Sequence, residues 1–249
     1  MAALVPGFVW PIVIGVEVLL IALVVLALRR HAGVGATAAG VFLGAWLVLV
    51  MLLAAAGAFA GAPDRPPWVA LAVFAPILTG GLALSASRTL RARALAIPQP
   101  WLVGIQALRV IGVVFLVAHA RGALPGQFAL PAGWGDLAVG AAAPLVAYAL
   151  ATGKRFAPHL ALAWNVAGLL DLVVAVGTGA LSAPGPIQVF TTSPSSVALG
   201  ELPLSLVPTF GVPIFVLLHV LSLMGLRARA RAHVERPGAA GSPTPALAR

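Results

Sequence analysis

What this chain can fold into is limited first by where its charges are missing. Seven stretches of about twenty residues contain scarcely an ionisable side chain: 8 to 28, 36 to 60, 67 to 87, 101 to 120, 135 to 152, 160 to 181 and 203 to 226. About 20 apolar residues in a helix reach across the hydrocarbon core of a bilayer. Inside that core every backbone group must be bonded internally, which a helix achieves within a single segment. The expected fold is all-α, a polytopic membrane protein of seven transmembrane helices spread over residues 1–227. Hydrophobic residues make up 61% of the chain and charged ones 8%, against the roughly 25% charged residues of an ordinary soluble domain. From 228 the sequence turns to Arg, Ala, Pro, Gly and Ser, and 228–249 reads as a disordered basic cytoplasmic tail. The first stretch has no basic residue ahead of it and no clear small-residue cleavage site, so it reads as a mature helix and not as a signal peptide.

The linkers orient the bundle. Alternate linkers and the tail hold Arg29, Arg30, Arg88, Arg91, Arg93, Lys154, Arg155, Arg227, Arg229, Arg231, Arg236 and Arg249, whereas the other set holds only Arg65 and Arg121. Positive loops are retained in the cytoplasm, so the amino terminus is expected outside and the carboxyl terminus inside, in the cell membrane (the inner membrane if the cell is bacterial). Trp10, Trp68, Trp101 and Trp134 fall at predicted helix ends, the level at which amphipathic rings settle. The net charge of +9 belongs to this loop pattern and implies no nucleic-acid partner. The lipid bilayer is the partner that composition requires. Small residues spaced as GVFLG (40–44) and GAFAG (57–61) let helix backbones approach, either within the bundle or in a homo-oligomer.

Against this apolar background the few buried-depth polar residues stand out. Arg109 is the one basic residue of fifteen inside an apolar stretch, where it costs about 2.5 to 3.5 kcal/mol unless paired, hydrated or able to reach the headgroups. At 1.5 Å per residue, Asp171 lies about 17 Å from the cytoplasmic end of the sixth helix and Arg109 about 12 Å into the fourth. Glu17 is close to the centre of the first helix, His219 roughly 10 Å into the seventh, and Asn165 roughly 8 Å into the sixth. Asp171, Arg109, Glu17, His219 and Asn165 are the expected substrate or proton pathway. Arg109 is long enough to snorkel; Asp171 is not, and Arg109 is its natural partner. Trp164, Gly168 and Asp171 share one stripe, with Asn165 about 120° away from Asp171.

A second group, His119, Asp136 and Glu201, is placed near the outer surface, with Asp136 capping the helix that starts at 135. These are weak metal candidates without any recognised ligand spacing, so no metal and no cofactor is expected. The seven-helix count resembles retinal proteins and G-protein-coupled receptors, but retinal needs a lysine in the last helix and the only lysine is Lys154, in a linker. GWGD (133–136) has the GxGD form of intramembrane aspartyl proteases, yet Asp136 and Asp171 are expected on the order of 15 Å apart along the membrane normal, too far to share a proton. The segment 182–202 is long for a linker and reads as a lid over the outer face. Pro203, Pro208 and Pro213 mark the seventh helix as broken and the element most able to move.

Three functions fit this pattern. The first is a small transporter or proton-coupled permease of an unidentified small molecule or ion, centred on Asp171 and Arg109, with Arg109 orienting an anionic substrate or serving as counter-charge. The alternative is a non-catalytic assembly or accessory subunit whose charged pairs only fix helix packing. A membrane-embedded enzyme using the outer His119, Asp136 and Glu201 group ranks third, and no catalytic motif supports it.

Overall fold

The computed structural model describes residues 5–33, 35–61 and 68–234, and among these the chain is helical without strands. Seven helices are long and apolar enough to cross a membrane: Val9–His31, Ala36–Ala55, Trp68–Ala86, Gln99–Ala120, Gly126–Ala151, Ala157–Leu181 and Val207–Arg231. They are called the first to seventh spans below. Bulky apolar side chains such as Phe42, Leu78, Leu145 and Val173 point outward, as a lipid-facing surface requires and a water-facing one does not tolerate in bulk. The fourth and seventh spans are the interior ones. In each, 56% of the most apolar stretch is buried, against 33% or less in the other five.

Local chemistry explains where the spans stop. The second ends at Ala55, short of the expected residue 60, because Gly57 adopts φ +73°. The Gly57 and Ala58 N–H groups then bond back to Ala54 and Leu53 at 3.0 and 2.9 Å, closing the helix with a left-handed cap. GAFAG is thus a turn, with Gly61 laid against Pro184, and does not serve as a helix-packing stripe. In GVFLG, Gly40 packs on Val25 of the first span. A short helix, Arg88–Leu95, follows the third span; the Ser87 hydroxyl accepts the Leu90 N–H as its cap. Arg91 reaches back to donate to the carbonyls of Leu84 and Ser85, satisfying the end of the third span.

The fifth span begins at Gly126, nine residues before the start expected from the sequence. Pro125 supplies an extended residue at φ −72°, and its carbonyl accepts the first helical bonds from Phe128 and Ala129. Pro131 lies inside the helix and does not end it. Trp134 and Asp136 are therefore well within the span, and Asp136 caps nothing.

The fourth span changes pitch midway. Ile105–Gly112 is a 3₁₀ helix between two α-helical ends, Gln99–Gly104 and Val113–Ala120. With three residues per turn, positions three apart eclipse, and the row Gln106, Arg109, Gly112 faces the interior, all three buried. The seventh span opens with a π-helical turn, Val207–Gly211, that contains Pro208 and is followed at once by Pro213. It then continues as an α-helix to Val234, past the residue 228 at which the tail was expected to begin. The rest of that expected tail lies outside the described residues, as does Arg65.

Two faces result. Span ends and starts around Phe59, Trp68, Phe128, Gly179 and Pro208 gather on one, here the near face, where the first span begins. On the far face, the start of the fourth span meets the end of the first: Trp101 lies 5.7 Å from the His31 ring and 5.6 Å from the Arg30 guanidinium carbon.

Candidate functional site

Arg109 is completely buried and gathers groups from three other spans. Its Nε donates to Asp136 Oδ1 of the fifth span at 2.8 Å, and Nη2 donates to Asp171 Oδ2 of the sixth. Nη1 donates to the Gly168 carbonyl at 3.2 Å and points at His219 Nε2 of the seventh span, 3.1 Å away. A guanidinium has no lone pair to offer, so Nε2 is the acceptor and the ring proton sits on Nδ1. Nδ1 then donates to Asn165 Oδ1 at 2.8 Å. Asn165 Nδ2 donates to Ser222 Oγ at 2.9 Å, and Ser222 Oγ donates to Gln99 Oε1 at 2.7 Å. Gln99 Nε2 closes the row on the Ser222 carbonyl at 2.9 Å. Along the row from Arg109 through His219, Asn165 and Ser222 to Gln99, each side chain donates to the next, toward the far face.

Glycines make the close approach possible. A Cβ at Gly135 would fall on the Asp171 carboxylate, and one at Gly112 would collide with Asp136. At Gly168 a Cβ would lie 2.5 Å from the His219 ring and 3.0 Å from Arg109 Nη1. Trp164, one turn before Gly168, donates to the Val139 carbonyl and packs its ring 5.0 Å from His219. The indole thereby holds the imidazole against the sixth span.

Four of the five residues expected to form a central polar layer, Arg109, Asp171, His219 and Asn165, do meet. Asn165 and Asp171 diverge around their helix as anticipated, and His219 with Arg109 bridges the gap. Glu17 stands apart. It is buried against Gly211, where a Cβ would be 2.9 Å from its Oε1, and its Oε2 has no hydrogen-bond partner among the described residues.

The residue that sequence reasoning misplaced is Asp136. Starting the fifth span at Gly126 puts Asp136 about 15 Å into the helix, at the level of Asp171. The expected separation of the two aspartates is overturned, since one guanidinium binds both. The signal available in the sequence is the glycine pattern around it, Gly133, Gly135 and Gly140, where a Cβ would meet the fourth span or Asp171. The outer group dissolves accordingly. His119 Nδ1 is 2.9 Å from the Leu124 carbonyl, Asp136 belongs to Arg109, and no cluster of three metal-ligating residues exists among those described.

A cavity of about 100 Å³ reaches this site from the near face. Such a volume holds several water molecules, each needing on the order of 10 to 15 Å³. Among the described residues Asp136 is its one ionisable lining residue, and Phe115, Phe128, Leu172, Val176 and Val212 are among its walls. The segment after the sixth span roofs it with Ala183–Ile187 and Ser196–Gly200. That roof is tied down: Val189 and Phe190 donate to the Leu181 carbonyl, and Ser196 Oγ donates to that of Gly179 at 2.7 Å.

These features define a seven-helix protein of membrane-spanning type, with a buried carboxylate–arginine–histidine centre at the floor of a cavity on the near face. Residues 66–227 match the family described as domain of unknown function DUF8737, and the chain belongs to that family. The matched region covers the third to seventh spans, including every member of the Arg109 network. No curated protein and no solved structure matches the chain.

Proposed function

We propose that the protein is a small proton-coupled permease of the cell membrane (the inner membrane, if the cell is bacterial), with its amino terminus outside and its carboxyl terminus in the cytoplasm. The observation that carries this reading is the cavity that ends on Asp136, with a polar row continuing from the same centre toward the opposite face. Ionisable residues at membrane depth are expensive to keep and mark substrate or ion pathways. Arg109 acts as counter-charge to two carboxylates, and Asp136 and Asp171 are the groups that exchange a proton or a substrate. The orientation rests on the basic linkers: Arg29, Arg30, Arg88, Arg91, Arg93, Lys154 and Arg155 all belong to the far-face set.

Alternating access is the testable core. The chain has no cysteine, so single replacements report without further engineering. Val176→Cys, in the cavity wall, should react with a membrane-impermeant thiol reagent added outside intact cells. Val103→Cys, fully buried on the far side of Arg109, should react in inside-out vesicles, faster when an imposed pH gradient drives cycling. A Val103→Cys variant that stays unreactive under both gradients would rule the permease out. The complete bonding of Arg109 favours the second reading, a structural clamp in an accessory subunit. Under it, Arg109→Met combined with Asp136→Asn and Asp171→Asn should express normally and change nothing in accessibility.

A further inference from the structure

We infer that the cavity binds a small organic ammonium ion with an apolar body, its N–H groups seated on Asp136. As the identity of a transported substrate this rests on the permease reading; as a binding site it does not. Charge is the first argument. One guanidinium faces two carboxylates, and arginine stays protonated in proteins. With both aspartates ionised, the centre carries one surplus negative charge. Arg109 offers an anion little, because Nε, Nη1 and Nη2 each already bond within the network and no part of the side chain is exposed. The arrangement favours Arg109 as counter-charge over Arg109 as the binding group of an anionic substrate.

Geometry is the second argument. Only Oδ1 of Asp136 is bonded to Arg109; Oδ2 has no hydrogen bond among the described residues, although Asp136 as a whole is 95% buried and lines the cavity floor. A cavity-lining carboxylate with one oxygen left unbonded suits an N–H donor. The walls decide which cation. A hard metal ion requires about six oxygen ligands, whereas the surroundings are Phe115, Phe128, Leu172, Val176 and Val212, with the Ser196 hydroxyl already donating to Gly179. Phe115 and Phe128 meet edge-on, with centroids 5.0 Å apart, and aromatic faces attract alkylammonium groups. An apolar body with one cationic head satisfies both wall and floor.

The test uses purified Val176→Cys protein in lipid nanodiscs, with the Arg109 network intact, at constant ionic strength. Isobutylammonium at saturation should slow thiol modification by about tenfold, whereas isovalerate, of similar shape and opposite charge, leaves the rate unchanged. Equal protection by the carboxylate, protection by sodium chloride alone, or no protection by the amine would each overturn the proposal. Asp136→Asn in the same background should abolish protection, but the amine against carboxylate comparison does not depend on that variant folding. The two proposals fail separately. Ammonium protection with a silent Val103→Cys leaves a binding protein that does not transport, and a reactive Val103→Cys without ammonium protection leaves a permease for another substrate.

Discussion

Arg109 shows how one side chain can hold a site together by the shape of its donors. The guanidinium fans three nitrogens toward three spans, and a lysine ammonium of equal charge presents its protons from a single point. Arg109→Lys should therefore keep at most part of the network. Charge-assisted hydrogen bonds contribute about 1.5 to 3 kcal/mol each, and the expected outcome is a loss of that order in stability. Gly135→Ala should act similarly without touching any charge, because the new Cβ displaces Asp171 from Arg109. Reversible unfolding in mixed micelles would measure both, and a Gly135→Ala protein as stable as wild type would show that the aspartate is not held where the geometry puts it.

At the scale of elements, the fourth and fifth spans are built for each other. The 3₁₀ pitch of Ile105–Gly112 lines up Gln106, Arg109 and Gly112, and the opposing glycines at 133 and 140 let the two backbones touch. A Cβ at Gly140 would sit 2.7 Å from the Val110 nitrogen, a backbone atom that cannot rotate away. Gly140→Ala should thus cost about 1 to 3 kcal/mol, the usual range for overpacking, and circular dichroism should show the helices retained while the melting temperature falls. The number and approximate bounds of the spans were legible in the sequence, since charge exclusion over twenty residues is a strong signal. Pitch and exact starts were not. Nothing in IQALRVIG distinguishes a 3₁₀ from an α-helix, and PAGWGD resembles a linker because proline and glycine are penalised in soluble helices. Membrane helices tolerate both. That one misjudged start carried Asp136 to the wrong depth, and with it half of the acidic partners of Arg109. Arg109, Asp171, His219 and Asn165 could be chosen from sequence because polar residues at depth are so few, but their rotations came only from the packing.

For the whole molecule, the distribution of basic residues predicts a topology that labelling can test. A cysteine at Ile187, exposed in the near-face segment, should react with an impermeant maleimide on intact cells; one at Thr152, exposed beside Lys154, should react only after permeabilisation. The opposite pattern would invert the proposed orientation. Asymmetry also extends inside the bundle. The row of side chains from Arg109 to Gln99 takes its hydrogen-bond direction from a group that can only donate, and His219, Asn165 and Ser222 inherit that sense in turn. Water wires and hydroxyl chains can reverse by rotating every member. This one cannot, because no rotation lets arginine accept. It is a latch with two conditions, joined or parted, so an event at the cavity floor reaches the far face as a broken link and never as an inverted one.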